Sequence, residues 1–257
     1  MSNKTRRQGR QSRGFTFYMF RHGASCANLA SSSKRPDIAR RYTDPELTAE
    51  GRRLARALRP YARKALQKPI VVGASTLLRT QQTAHLLLNP KKLFIIPYIN
   101  EMGRESQEST ALPSVLQESV LGEQLGDHQV VASKDETYVR TAPAVSEKGQ
   151  VDAFLAWLGT HGKELTHDYK KTLVMVSHSQ FLKTLVKTAT GETAGTIRNC
   201  ELFQFQAVVR NGKAVLTGVH PILYGPDRLL DWDRRAQSRN HGCRESVGLR
   251  YESSNDV

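Results

Sequence analysis

The chain has 257 residues and 39% of them are hydrophobic, which suffices for the core of one domain of about 200 residues. Its three cysteines, Cys26, Cys200 and Cys243, are few, odd in number and widely spaced. This pattern argues against a disulfide framework or a zinc site and favours a reducing, cytoplasmic compartment. No run of 18 apolar residues is present and residues 1–13 lack an apolar stretch, so we expect neither a membrane span nor a secretory signal.

The net charge of +14 is distributed unevenly. Residues 1–13 hold five basic residues and no acid, residues 34–68 hold eleven basic and four acidic residues, and residues 101–127 hold six acids and one arginine. Such segments are usually solvated faces and tails, but a positive field also attracts phosphorylated substrates or nucleic acid. No aromatic-basic recognition motif accompanies the charge, so two interpretations of residues 1–13 stay open: a solubilising tail, or a nuclear or nucleic-acid-binding element.

The predicted elements alternate between strand and helix along the chain. After a disordered basic tail over residues 1–13, the aromatic-rich segment 15–21 predicts a buried strand. Thr48 is suited to cap the helix that follows, which Pro60 should end or kink. Further strands are predicted at 70–75, 93–96 and 172–176, further helices at 80–88, 146–165 and 181–186, and a hairpin of 202–209 and 214–219 across Asn211-Gly212.

This order of elements predicts an α/β fold: a three-layer sandwich with a mostly parallel sheet, helices on both faces and a C-terminal antiparallel hairpin. We expect one domain over residues 14–225 and a polar, disordered tail over 226–257. The stretch 102–145 is irregular and longer than an ordinary loop, with two weak helix or strand candidates. We interpret it as a lid or insertion that flanks the site and carries specificity.

Charged or titratable residues follow four predicted strands: Arg21 and His22 the first, Arg79 the second, Glu101 the third and His178 the fourth. Each has an ordinary structural explanation, as a surface arginine, a salt-bridged glutamate or a buried, hydrogen-bonded histidine. However, the carboxyl ends of parallel strands meet at the sheet edge where ligands bind. Arginine binds phosphate through a planar fork of donors, and histidine can act as a covalent nucleophile. The set together therefore indicates phosphoryl chemistry.

Five motifs make the chain resemble the histidine phosphatase superfamily, with its phosphoglycerate-mutase-like fold, over about residues 15–220. Their order, spacing and strand context all agree with that family. The motifs are Arg21-His22-Gly23-Ala24-Ser25 with Asn28, the segment 44–51, the segment 74–84, Asn100-Glu101, and the segment 174–179.

The resemblance implies that His22 is the nucleophile that takes the phosphoryl group. Its ring must be neutral, so its other nitrogen should donate to a backbone carbonyl near Gly23. Glu101 is implied to protonate the leaving oxygen and then to activate water, a two-way role that needs a carboxyl pKa raised toward neutrality.

The remaining implied site residues bind the phosphoryl oxygens and the substrate: Arg21, Arg79, His178, Asn28 and Ser179. Side-chain cations take the place of a metal in this chemistry, so neither a metal nor another cofactor is predicted. The expected partner is a phosphorylated small molecule or a phosphoprotein, and the oligomeric state is left open.

Three functions stay open at this point. The first is a metal-independent phosphatase that works through a phosphohistidine. The second is a phosphoglycerate-type mutase, although the stretch 29–43 lacks the Gly-Trp-Asp segment that the mutases share. The third is a non-catalytic phosphate-recognising protein, against which the complete set of site residues argues.

Overall fold

The computed structural model describes residues 14–28, 44–66, 69–102, 129–132 and 146–226. Seven strands are present within these ranges: β1 (Gly14–Arg21), β2 (Ile70–Ala74), β3 (Lys92–Ile95), β4 (Gln129–Ala132), β5 (Thr172–Ser177), β6 (Leu202–Arg210) and β7 (Lys213–Ile222). The same ranges contain α1 (Ala49–Leu66), α2 (Leu78–Leu88), α3 (Glu147–Leu165), α4 (Ser179–Thr190) and a short 3₁₀ turn at Pro97–Ile99.

The strands form one sheet in the order β4-β3-β2-β5-β1-β6-β7. The four pairs from β4 across to β1 are parallel, whereas β6 pairs antiparallel with both β1 and β7. Asn211 and Gly212 both have positive φ, at 50° and 76°, and connect β6 to β7 as the Asn-Gly pair predicts. The mostly parallel sheet with a C-terminal antiparallel hairpin is thus confirmed.

Helices cover both faces of the sheet because successive strand side chains point to opposite sides. In β1, Phe17 and Met19 pack in one buried cluster with side chains of α3 and α4. Phe20 packs in a second cluster, with side chains of α1 and α2. The predicted three-layer sandwich is therefore confirmed, and all six residues of β5 are buried at its centre.

Helix α1 shows where local propensity is overridden by packing. Thr48 caps it as predicted, since its hydroxyl oxygen accepts a hydrogen bond from Gly51 N at 2.9 Å. Pro60 does not end the helix, which continues to Leu66. Proline inside a helix costs about 3 kcal/mol, but Leu58 and Leu66 are buried on either side of it. Burying each leucine gains roughly 1.5–3 kcal/mol, which offsets that cost.

The stretch 102–145 is not wholly irregular, because β4 lies within it and pairs in parallel with β3 at the edge of the sheet. Residues 103–128 and 133–145 lie outside the described ranges, as do residues 1–13 and 227–257. The lid, the two tails and the domain boundaries therefore stay predictions.

Two expectations from composition can be compared with the structure. Cys26 is disulfide-bonded, a single bond that the argument against a disulfide framework did not anticipate. Cys200, by contrast, is a buried thiol. Among the described residues, no helix is both long enough and apolar enough to cross a membrane.

Replacing Gly51 with alanine should destabilise the protein, because Gly51 lies against the loop that follows β1. An added Cβ would lie 2.2 Å from the backbone oxygen of Ala24, which cannot rotate away. Overpacking of this kind costs about 1–3 kcal/mol, more than the roughly 1 kcal/mol that alanine gains in helix propensity. Urea unfolding measures the net loss. Gly195→Ala is the matched control, since no atom lies within 4 Å of its added Cβ; equal stabilities of the two variants would contradict the prediction.

Candidate active site

Three neighbouring strands end at one edge of the sheet and place the central residues there. His22 follows β1, His178 follows β5 and Ser75 follows β2. Backbone hydrogen bonds continue past the strand ends, from His22 N to Ser177 O at 2.9 Å and from Ser75 N to Val176 O at 3.2 Å. The structure thus brings His22 and His178 together, with ring centroids 5.1 Å apart.

The ring of His22 is held in a defined orientation and is only 1% exposed. Its Nδ1 lies 2.6 Å from the carbonyl oxygen of Gly23, which can only accept, so Nδ1 carries the proton. The other ring nitrogen, Nε2, accepts from Arg79 Nε at 3.3 Å. This leaves Nε2 with a lone pair, as required of a nucleophile, and the partner of Nδ1 is the carbonyl that the sequence predicts.

The loop that carries His22 is fixed by two residues that the sequence analysis did not select. Gly23 N donates to Thr83 Oγ1 on α2 at 2.9 Å, and Asn199 Nδ2 donates to His22 O at 2.9 Å. Thr83 lies one turn after Arg79 within a matched motif, so its spacing could have indicated it. Asn199 is 177 residues from His22 and no local pattern points to it.

Two arginines lie close to both histidines. Arg79 is in the first turn of α2 and only 4% exposed. Arg21 ends β1 and donates from Nη1 to Ile197 O at 2.6 Å, which restrains its guanidinium. Two cations beside two imidazoles form a strongly positive group, suited to a dianionic phosphoryl group.

This environment lowers the pKa of both histidines well below 6.5. For His22 the largest cause is burial, followed by the charges of Arg79 and Arg21, while the hydrogen bond to Gly23 acts in the opposite direction. For His178 burial again leads, followed by the charges of Arg79, His22 and Arg21. Both rings are therefore neutral at neutral pH.

The free energy of unfolding should fall as the pH falls below 6.5, because the unfolded chain then protonates His22 and His178 while the folded protein does not. Each histidine contributes up to about 1.4 kcal/mol per pH unit until its folded-state pKa is reached. Urea unfolding between about pH 7.5 and 5.5 should show a shallower pH dependence in His22→Gln than in the wild type. The exposed His220→Gln is the control, and an unchanged slope in His22→Gln would refute the prediction.

The side chain of Glu101 is hydrogen-bonded to the N-terminus of α4. Its Oε1 accepts from Met102 N and from Gln180 N, both at 3.2 Å. Gln180 lies two residues after His178 and its side chain donates to Glu147 Oε1 at 3.1 Å. The structure therefore brings Glu101 to the end of β5 that carries His178. The backbone N–H of Gln180 is thus one of the two donors that hold the carboxyl group of Glu101.

Asn28 and Ser179, two further predicted substrate-binding residues, differ in their hydrogen bonds and position. Asn28 Oδ1 accepts from the backbone and hydroxyl of Ser25, at 3.2 and 3.1 Å, and from Asn199 Nδ2 at 3.4 Å. Its side-chain oxygen is thus already used as an acceptor within the protein, and its Nδ2–H₂ group is the donor that could bind an anion. Ser179 is the first residue of α4, next to His178 and half-buried. Within the described ranges, no three His, Cys, Asp or Glu side chains converge to hold a metal ion.

Comparison with known proteins identifies the class of this chain. The family model of the histidine phosphatase superfamily (branch 1) matches residues 17–210, so the chain belongs to this superfamily. Its enzyme class is accordingly that of a phosphoric monoester hydrolase. No curated protein matches the chain.

Several solved structures resemble the fold. Mycobacterial hydrolase 2 has 16% identity and a TM-score of 0.51, with 89% of this chain and 100% of that chain covered. A phosphoserine phosphatase of Entamoeba histolytica, in complex with 3-phosphoglyceric acid, has 19% identity and a TM-score of 0.49, with 84% and 99% covered. A mycobacterial glucosyl-3-phosphoglycerate phosphatase has 16% identity and a TM-score of 0.49, with 82% and 99% covered. These likenesses concern the fold alone.

Proposed function

We propose that the protein hydrolyses phosphate monoesters, without a metal, through a phosphohistidine on His22. The observation that carries this proposal is the state of the His22 ring. It is neutral, its Nδ1 proton is held by Gly23 O, and its Nε2 lone pair lies beside the guanidinium of Arg79. A neutral imidazole next to phosphate-binding cations is what nucleophilic attack on phosphorus requires.

The reaction has two balanced steps. In the first, His22 Nε2 forms a bond to phosphorus, the bond from phosphorus to the ester oxygen breaks, and the Glu101 carboxyl gives its proton to that oxygen. In the second, water attacks phosphorus, the bond to Nε2 breaks, and Glu101 takes a proton from the water. Arg21, Arg79 and His178 hold the phosphoryl oxygens in both steps, with Asn28 and Ser179 at the periphery.

Trapping of the phosphoenzyme tests this proposal. The protein is incubated briefly with a ³²P-labelled phosphate ester, quenched, and treated with acid or with alkali. An acid-labile, alkali-stable label that is absent in His22→Ala supports the proposal, because phosphohistidine has this stability. The absence of both label and hydrolysis across small esters, sugar phosphates and phosphopeptides would contradict it. A coupled assay of 2- and 3-phosphoglycerate interconversion separates hydrolysis from a mutase reaction.

Glu101→Gln should reduce turnover in a way that depends on the leaving group. An alkyl phosphate needs a proton on its leaving oxygen, so kcat/KM should fall by about 10²–10⁴. With p-nitrophenyl phosphate the phenolate leaves without that proton, so the loss in kcat/KM should be much smaller. Glu192→Gln, which removes an exposed carboxylate elsewhere, is the control. Equal losses on the two substrates would argue against proton donation by Glu101.

The substrate that we propose is a phosphorylated small molecule or a phosphoprotein, recognised in part by the stretch 102–145. A cytoplasmic location remains our inference from the small number of cysteines, and the disulfide at Cys26 weighs against it.

A further inference from the structure

Two buried hydroxyl groups form a chain with the ring of His178. Ser75 Oγ lies 2.7 Å from His178 Nε2 and 2.8 Å from Thr80 Oγ1. All three residues are fully buried. The other ring nitrogen, Nδ1, is also buried and has no hydrogen-bond partner among the described residues. Buried polar atoms are nearly always paired, so this nitrogen, in the ring next to His22, points to a ligand as its partner.

Each hydroxyl has one proton, so the hydrogen bonds among Thr80, Ser75 and His178 can be directed in two consistent ways, here called the two settings. In the first, Thr80 donates to the carbonyl oxygen of Leu77 at 2.7 Å and accepts from Ser75. His178 must then donate from Nε2 to Ser75. In the second setting Thr80 donates to Ser75, Ser75 donates to Nε2, and the proton of His178 is on Nδ1.

The protein accommodates both settings without losing a backbone hydrogen bond. Ser75 Oγ accepts from Leu77 N at 3.2 Å in either case. The carbonyl oxygen of Leu77 also accepts from Thr80 N at 3.0 Å and from Gln81 N at 3.4 Å, so it stays satisfied when the Thr80 hydroxyl turns away. The first setting keeps the additional hydrogen bond from Thr80 to Leu77 O and is therefore favoured without a ligand, and charge near Nδ1 decides whether the second setting replaces it.

The groups that face the ring are the guanidiniums of Arg79 on α2 and of Arg21 at the end of β1, and the neutral ring of His22. Together with burial they lower the pKa of His178, so the ring has a single proton to place. Without an anion, the two guanidiniums favour a lone pair at Nδ1 over a positive N–H. With a phosphoryl oxygen between them, an N–H at Nδ1 gains a charge-assisted hydrogen bond.

We propose that Ser75 and Thr80 are positioning residues that let His178 change tautomer, from Nε2–H without an anion to Nδ1–H when a phosphoryl group binds. This inference rests on the proposed phosphoryl site. The ring loses a proton at Nε2 and gains one at Nδ1 by exchange with solvent, so its charge is unchanged. The two hydroxyl hydrogens only rotate.

The change Thr80→Val separates this role from ordinary packing. Valine matches threonine in shape but cannot accept the Ser75 proton, so Ser75 donates to Nε2 in every state and His178 is locked as Nδ1–H. Binding of inorganic phosphate then no longer includes a tautomer change, and its affinity should rise several-fold. Thr80→Ser keeps the hydroxyl and should behave as the wild type. A residue that only fills space would, when altered, weaken phosphate binding or leave it unchanged.

Two-bond ¹H–¹⁵N correlation spectra of ¹⁵N-histidine-labelled protein test the proposal near neutral pH, without and with saturating inorganic phosphate. Single His→Gln variants assign the signals of His22 and His178, and Thr160→Val on α3 is the control for loss of a helical hydroxyl. We expect the wild type to change from Nε2–H to Nδ1–H when phosphate is added, and Thr80→Val to show Nδ1–H in both states. Titration calorimetry measures the gain in phosphate affinity.

The proposal is overturned if wild-type His178 keeps one tautomer throughout, or if neither ring responds to phosphate. It is also overturned if a folded Thr80→Val retains the Nε2–H tautomer. Should Thr80→Val fail to fold, the wild-type spectra decide alone. A phosphohistidine label without a tautomer change would leave the proposed function standing, whereas a tautomer change without any label would support this inference and contradict that function.

Discussion

Replacing His22 with alanine should abolish turnover, with kcat for a generic phosphate ester reduced by more than about 10³-fold. The physical reason is that no other described side chain combines a neutral imidazole, a proton fixed on the far nitrogen and contact with Arg79. Steady-state hydrolysis of p-nitrophenyl phosphate measures the loss. Thermal unfolding shows whether the variant folds, since His22 is buried and its removal leaves a cavity.

His220→Ala is the matched control, because His220 is exposed on β7, which is separated from β1 by β6 in the sheet. It should retain wild-type turnover. A folded His22→Ala protein with wild-type turnover would exclude the phosphohistidine route, even if phosphate still binds at the site.

Arg79→Lys should lower kcat by about 10²–10³-fold, equivalent to about 2.7–4 kcal/mol of transition-state stabilisation. Lysine keeps the positive charge but lacks the planar fork with which arginine can contact two phosphoryl oxygens at once. It also loses the Nε–H that Arg79 directs at His22 Nε2 over 3.3 Å. The transferring phosphoryl group needs this stabilisation most in the transition state. The effect of the substitution should therefore appear mainly in kcat and less in KM.

Arg63→Lys on the exposed side of α1 makes the same chemical change outside the site and should have no effect on kcat. If Arg79→Lys changes KM alone, then the guanidinium binds substrate and transition state equally and the proposed role is wrong. A loss no larger than that of Arg63→Lys would exclude Arg79 from the phosphoryl site.

Much of the fold could be predicted because the strands carry strong local signals. The aromatic alternation of β1, the uniformly apolar β5 and the Asn211-Gly212 turn each define an element without reference to the rest of the chain. The strand ends then place His22 and His178 at one edge, since parallel strands share a direction. The positions of these two residues follow from the sequence for that physical reason.

The remaining features depend on contacts between distant segments, which a single sequence does not encode locally. Asn199 supports the carbonyl of His22 from 177 residues away. Strand β4 has four residues and is recognisable only through its pairing with β3. Pro60 is tolerated within α1 because of tertiary burial on either side. In each case the feature depends on tertiary contacts, which local sequence patterns do not report.

The backbone pairing between residues 24–26, which follow His22, and residues 46–48 has a consequence for changes in the length of the segment between them. Ser25 pairs with Leu47, Cys26 N donates to Glu46 O at 3.1 Å, and Thr48 N donates to Ala24 O at 2.9 Å. These contacts hold together the two segments that flank the fifteen residues 29–43. Doubling the length of a loop whose ends are held in this way costs only about 0.6 kcal/mol in closure entropy. Changes in length between the two ends should thus leave the phosphoryl-binding groups in their places.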